Sequence, residues 1–458
     1  MPNCSRRQAL GALATAGLGR LAHAADDPWT VVPQLLKRIQ APSLPDRDFA
    51  VTRYGAKGDG KTDCSEALRG AIRAANAAGG GRVIVPEGIW LTGAIHLKSN
   101  VNLHVAKGAT LHFSPDAKQY PIVLTRFEGL ECMNYSPFVY AFEQENIAIT
   151  GGGILDGDAS CEHWWPWSGK GHCGTAPGNQ RKARAALMDM AERGLPVAER
   201  VFGEGGWLRP MFVQPYRCTN VLIEGVTITN SPMYEMHPVL CRNVTVRNVT
   251  VSSHGPNNDG CDPESSSEVL IDGCTFDTGD DCIAIKSGRN ADGRRLHRPS
   301  ENIVIQNCTM KDGHGGVTLG SECSGGIRNV YARDCKMDSP NLDRVLRFKD
   351  NAMRGGVLEH IYLRDIDAGQ VSGPAIEVDL QYEEGPNGPF PPVVRDVEVV
   401  NLKVRKCRAA ISIRGYKDAP VSDVRLRDCV FEQAAQGNVL ENVEGLKLEN
   451  VTVNGKAL

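Results

Sequence analysis

A short segment, Asn220-Val-Leu-Ile-Glu-Gly-Val-Thr-Ile-Thr-Asn230, recurs along this 458-residue chain and restricts its folds more than any other feature. Aligned on the residue before the first apolar position, the copies begin at Asn146, Asn220, Asn243, Glu268, Asn302, Asn329, His360, Asp396, Asp423 and Gly445. The pattern is Asn or Asp, then apolar-x-apolar, then two polar or small residues, then Val, Cys or Ile-x-apolar. From Asn220 onward the intervals are 23, 25, 34, 27, 31, 36, 27 and 22 residues. A near-constant base period with insertions is the mark of a solenoid.

Within each copy apolar and polar residues alternate, which is strand periodicity. The alternation breaks at the polar pair, often at Gly or Asn, which is turn chemistry. The intervals are too short for helical repeats, and the Leu-x-x-Leu-x-Leu pattern of leucine-rich repeats is absent. The expectation is therefore an all-β chain wound as a right-handed parallel β-helix. Its coils would stack about 4.8 Å apart, with Asn at one repeat position forming a hydrogen-bonded ladder. Composition agrees, with 49 Gly for tight turns and only 6% aromatics. Hydrophobic residues at 41% exclude a mostly disordered chain. No run of 18 apolar residues occurs, so no membrane partner is expected. A formal net charge of −3 argues against nucleic acid bound by bulk charge.

An open-ended solenoid must cover its strand edges. Residues 62–78 supply an N-terminal cap helix, with Leu68, Ala71, Ile72 and Ala75 on one face and Thr62 or Asp63 as N-cap. Residues 158–210 interrupt the repeat as a long inserted loop with a helical pattern at 182–192. Its Trp164, Trp165, Trp167 and Trp207 suit either stacking on sugar rings or packing of the loop itself. The loop could also close one end of a groove. Domain organisation reads as a targeting segment at 1–24, a linker at 25–47 and one β-helix domain at 48–458. The targeting segment has Arg6-Arg7, a weakly apolar run and the small-x-small site Ala22-His23-Ala24. Together these resemble a twin-arginine signal, so periplasmic or extracellular export is expected. Removing that segment takes away three arginines and moves the balance from −3 to −6. Of the 15 Cys, Cys274, Cys308, Cys335 and Cys429 share one repeat position, as a stack of buried thiols would. Cys161 and Cys173 flank a loop with His163 and His172; a disulfide is preferred there over a metal site.

Four short motifs fall in successive coils: Asn257-Asn258-Asp259, Gly279-Asp280-Asp281, Gly313-His314-Gly315 and Arg347-Phe348-Lys349. Asp259 and Asp280 are 21 residues apart, almost one coil, while His314 follows Asp281 by 33 and Arg347 follows His314 by 33. The winding therefore lines up three carboxylates, an imidazole and two cations along one stripe. Gly279 permits the turn that keeps one of the adjacent aspartates out of an apolar interior. Three neighbouring carboxylates cannot all ionise freely, so at least one pKa rises, as acid/base cleavage of a glycosidic bond requires. Singly, each motif is an ordinary turn or strand end; the inference rests on their joint order and spacing.

These motifs resemble glycoside hydrolase family 28, the polygalacturonase family, in its bacterial exported style. Longer stretches share the resemblance: Asp280-Asp-Cys-Ile-Ala-Ile-Lys-Ser-Gly288, Gly313-His-Gly-Gly-Val-Thr-Leu-Gly-Ser-Glu322 and Tyr54-Gly-Ala-Lys-Gly-Asp-Gly-Lys-Thr-Asp63. Asn258 stands where the family has Thr, and Phe348 where it has Ile; alternation aims both away from the site. The resemblance implies an inverting hydrolase of α-1,4-galacturonosidic bonds, possible as an exo enzyme, needing no metal or cofactor. It implies Asp280 as general acid, Asp259 and Asp281 as the pair that activates water, and His314 as a tuner of the acid. Arg347 and Lys349 would hold a galacturonate carboxylate, with Asn257, Tyr382 and His237 as further substrate-binding candidates. Acid and base are expected about 6.5–9.5 Å apart to admit water. The implied partner is the acidic plant cell-wall polysaccharide pectin, met by a monomer. Three alternatives stay open: a rhamnogalacturonan or xylogalacturonan hydrolase of the same family, a Ca²⁺-dependent pectate lyase, and a non-catalytic carbohydrate-binding β-helix.

Overall fold

The computed structural model describes residues 27–171, 173–174 and 178–458. The targeting segment at 1–24 and His172 lie outside them. The chain winds as a parallel β-helix whose coils stack in register on three sides. On one side Val221, Val244, Val269, Ile303, Val330, Ile361, Val397 and Val424 pair in line from coil to coil. All are buried, so the inward stripe of the sequence repeat is the core itself.

The ten residues that open the repeat copies all have positive φ, from 53° to 65°. That left-handed turn ends one strand and starts the next. Asn and Asp tolerate it best among residues with a side chain, which explains their preference at the position. The expected ladder exists as well: Asn146 donates to Asn100, Asn220 to Asn146, and Asn243 to Asn220, at 3.0, 2.8 and 2.7 Å. Glu268 interrupts it, and Asn329 resumes it onto Asn302 at 3.1 Å. The four stacked thiols are buried and free. Each points its Sγ at the carbonyl two residues earlier, as Cys308 does to Gln306 at 3.2 Å.

The cap helix is Ser65–Ala77, with Leu68, Ala71, Ile72 and Ala75 buried as expected. It begins later than the sequence pattern suggests, because Asp59–Asp63 is a strand. The N-cap is Cys64 rather than Thr62 or Asp63, and Asp63 just before it accepts from the Ser65 amide at 2.9 Å. At the far end Thr452–Val453 folds against Lys456–Ala457 as an antiparallel pair. The stretch read as a linker is not one. Pro28–Val31 and Val32–Arg38 are helical and lay Trp29, Val32, Leu35 and Ile39 on Val304, Tyr331 and Tyr362. Those three are outward positions that alternation leaves apolar, and they align in register on adjacent coils. Among the described residues no helix is long and apolar enough to cross a membrane.

Candidate active site

The motifs converge on the third side, which carries Ile283–Ile285, Val317–Gly320, Leu346–Lys349, Pro374–Asp379, Ala409–Arg414 and Val439–Glu441 as successive parallel strands. Cys261 extends this side to the preceding coil by bridging Ile283. Pairing then sets the columns: Thr318 opposes Arg347, and Gly320 opposes Lys349. The Gly260 amide donates to Asp281 and the Asp280 amide to Asn258, so the two aspartate motifs lie side by side. Above them opens a cavity of about 600 Å³ whose walls include Asp259, Asp280, His314, Arg347, Lys349 and Tyr382.

Within it, Asp259, Asp280 and Asp281 each place an oxygen within 4.8 Å of the others. Asp259 comes this near because its coil adjoins that of the consecutive Asp280 and Asp281, at the interstrand spacing. His314 Nδ1 is 3.0 Å from Asp280 Oδ1. Lys349 Nζ donates to Asp281 Oδ2 at 2.5 Å, Arg347 approaches Asp281 Oδ1 at 3.5 Å, and Thr318 donates to the same oxygen at 2.9 Å. Tyr382 lies beneath both cations, its ring centre 5.9 Å from the Arg347 guanidinium and 5.8 Å from Lys349 Nζ. Asn257 lines the cavity and accepts a hydrogen bond from the buried Arg209 at 2.8 Å.

The charges do not share protons equally. Burial, then the neighbouring Asp280, pushes Asp259 up to about 7, against the pull of Lys286. Burial would raise Asp280 too, but the His314 hydrogen bond, then the charges of His314, Lys349 and Lys170, hold it far below the usual range. Asp281 is likewise held down, because Lys349 and Arg347 outweigh its burial. The hydrogen bond to Asp280 raises His314 above an ordinary imidazole. The raised proton affinity in this cluster therefore lies with Asp259 and the neighbouring Asp262, while Asp280 and Asp281 are held ionised. Lys286, Lys349 and Arg347 all stand within 3.5 Å of these carboxylates, so their negative charge is met by protein cations.

A family model described as glycosyl hydrolases family 28 matches residues 203–453, more than half of the chain. The chain belongs to that family. The solved structure of a hyperthermoactive exopolygalacturonase from Thermotoga maritima is 50% identical, with a TM-score of 0.91 over 93% of this chain and 96% of that one. An exo-poly-alpha-D-galacturonosidase of Dickeya chrysanthemi is 28% identical over 458 aligned residues, covering 89% of this chain and 74% of that protein. A Vitis vinifera protein named "Probable polygalacturonase" is 29% identical over 68% of this chain, and the match spans 58% of its own length.

Of the sequence-predicted residues of this family 28 hydrolase, the structure brings together Asp259, Asp280, Asp281, His314, Arg347, Lys349, Asn257 and Tyr382. His237 is the exception. It is fully buried, bonded to Glu264 at 2.7 Å and to Gln214 at 3.0 Å, and does not reach the cavity. Asn258 and Phe348 turn away as expected. Asn258 ties down the backbone at Ser231 and Met233, and Phe348 is in the core.

Sequence reasoning missed an inner ring of charge. Lys286 Nζ lies 3.5 Å from Asp259, 3.5 Å from Asp262 and 3.3 Å from Glu322. Glu322 is 3.6 Å from Arg289, which also pairs with Glu128 at 3.2 Å. A signal existed for Lys286: with Ile283 and Ile285 pointing inward, period-2 alternation puts it on the side of the aspartates. Glu128 had none, since it sits at the turn of an unforeseen antiparallel hairpin, Ile122–Phe127 with Leu130–Tyr135.

The inserted loop forms one wall. Its helix Arg181–Glu192 is pinned by Arg184 to Glu128 at 2.5 Å, and Ser168, Lys170, Gln180 and Arg181 line the cavity. The four tryptophans pack the loop. Trp164 is buried against Tyr120 and Phe138, Trp167 lies edge-on to Trp164 and Trp207, and Trp165 donates to the Ser231 carbonyl at 2.9 Å. Cys161 and Cys173 form a disulfide across the same loop.

Proposed function

We propose that this chain hydrolyses the α-1,4-galacturonosidic bonds of polygalacturonate from a chain end, by a single-displacement acid/base mechanism. The observation that carries the reading is the cavity floor, where three carboxylates, an imidazole and two cations meet within hydrogen-bonding reach. Such a floor can protonate a leaving oxygen, activate water and hold a sugar carboxylate. The exo-acting relatives support action at a chain end.

Asp280 is the general acid, Asp259 and Asp281 activate water, and His314 sets the proton affinity of Asp280. Arg347 and Lys349 bind the carboxylate of the sugar at the scissile bond, in fork and point-charge fashion respectively. Substrate makes this division work. As the side chains stand, Asp259 has the raised proton affinity, and Lys349 helps hold Asp280 ionised. A galacturonate carboxylate at Lys349 cancels part of that positive field, raises Asp280 and draws the proton to it. Asp259 is then the ionised base, with a proton affinity matched to near-neutral water chemistry.

Product chromatography on polygalacturonate tests the reading. Mono- or digalacturonate from the first turnovers is expected; a ladder of oligomers refutes chain-end attack, and an unsaturated ultraviolet-absorbing product means a lyase. Asp280→Asn, still folded by circular dichroism, should lose nearly all activity. Export through the twin-arginine segment belongs to the same proposal. Cell fractionation and a mature N-terminus at Ala25 would support it.

A further inference from the structure

The catalytic sheet does not stop at Arg347. Three more strands, Pro374–Asp379, Ala409–Arg414 and Val439–Glu441, continue the same side toward the C-terminal end. Arg347 opposes Glu377, which opposes Ser412; Lys349 opposes Asp379, which opposes Arg414. Side chains at these positions share the face that carries the site, because pairing in parallel register preserves the side of the pleat. A second cavity of about 310 Å³ opens here, lined by Glu377, Asp379, Arg408, Ser412, Arg414 and Gln436. It adjoins the first across one ion pair: the Glu377 carboxylate is 2.6 Å from Arg344 and 3.7 Å from Arg347, both in the wall of the catalytic cavity.

The groups facing this second cavity are of both signs, but they are not equally engaged. Glu377 is neutralised by Arg344. Burial, then Glu377 itself, raises Asp379 above the usual carboxylate range, and its Oδ1 already accepts from the Gln381 amide at 3.0 Å. Arg414 reaches Glu441 only at 4.0 Å. Arg408 is exposed and, among the described residues, has no side-chain partner. Two guanidinium groups thus stand loosely held around a polar hollow, about two coils or roughly 10 Å beyond the Arg347 coil.

Resting on the reading of the catalytic cavity as a galacturonan site, we propose that the hollow between Arg408 and Arg414 is a second carboxylate-binding site for the same polymer. The inserted loop walls the catalytic cavity at Ser168, Lys170, Gln180 and Arg181, and the continuous sheet beyond Arg347 offers a bound chain a path over this side. A polymer carrying one carboxylate on every sugar then presents another anion a few sugars beyond the scissile bond. Arg408 is the principal anchor, and Arg414 and Gln436 complete the polar wall.

The test compares substrate lengths in Arg408→Gln and in the Arg408→Gln/Arg414→Gln double variant, with folding checked by circular dichroism. For a partly exposed ion pair, KM on polygalacturonate should rise by about fivefold for one substitution and more for two. KM on digalacturonate, too short to reach the hollow, should move by less than twofold. Equal KM changes on both substrates, or none on either, overturn the proposal. A second readout separates this failure from failure of the catalytic reading. In an Asp280→Asn background, calorimetric titration with hexagalacturonate should show weaker binding on loss of Arg408, while digalacturonate affinity is kept. A wild type that binds both lengths but cleaves neither sinks the hydrolase reading alone; hexagalacturonate affinity indifferent to Arg408 sinks the second site alone.

Discussion

Lys286 offers the sharpest test of how the site is poised. Its ammonium is buried and stands 3.5 Å from Asp259, 3.5 Å from Asp262 and 3.3 Å from Glu322. Replacing it with Met removes the cation that, among the described residues, is in direct contact with Asp259. An opposite charge at such range lowers a carboxyl by about one to three pH units, so its loss should raise Asp259 by that much from about 7. The sign follows from the role. A base must be ionised to work, so the acidic limb of the kcat/KM profile should move to higher pH by at least about one unit. Stability should fall too, because removing one partner of a buried ion pair costs about 3–5 kcal/mol. Lys286→Gln is therefore made alongside, since its longer amide keeps a neutral donor directed toward the carboxylates. It should show a smaller loss of stability and the same direction of shift. The assay is the initial rate of reducing-end release against pH at low substrate concentration. A uniform drop in rate with the limb unmoved in both variants would refute the idea that Lys286 sets the proton affinity of Asp259.

Proton NMR of the first product should show the β-anomer, as a single displacement at an α-linkage requires; an initial α-product means a covalent intermediate. Activity should survive exhaustive chelation, because Lys286, Lys349 and Arg347 already balance the carboxylates that a Ca²⁺ ion would otherwise hold. His314→Ala should lower kcat more than KM and weaken the dependence of rate on pH near neutrality, since the 3.0 Å contact to Asp280 is lost. Glu235 is fully buried, and burial raises its carboxyl well above the usual range. The wild type is then penalised as pH climbs above the unfolded value, by about 1.4 kcal/mol per unit until the folded pKa is reached. Glu235→Gln should therefore melt higher than wild type at neutral pH and near it at about pH 4, by calorimetry.

Much of this molecule was legible in one dimension because a solenoid makes sequence separation nearly equal to spatial address. The positive-φ turn at each repeat start favours Asn or Asp, the inward stripe favours Val and Ile, and both recur at the coil period. For the same reason Asp259, Asp280, His314 and Arg347 could be placed on one surface by counting residues. Where alternation applied it told the truth, as with Asn258 and Phe348. It also pointed to Lys286, which was overlooked because a single Lys in a strand carries no motif.

What only the tertiary structure decided lies where that correspondence fails. The Trp29 helix docks on Val304, Tyr331 and Tyr362, three residues that look like isolated exceptions until their coils are stacked. His237 reads as a site residue in sequence, yet the Arg126–Glu264 ion pair and Gln214 draw it into a buried network. The wall of the cavity joins Arg184, Glu128 and Arg289, distant in the chain and drawn together by a loop and a hairpin outside the repeat. The acid–base spacing is tertiary as well, set by the distance between coils rather than by residue type. Which aspartate keeps the proton depends on every charge around the cavity, because electrostatic energy in a buried site sums over space, and sequence order records only part of that space.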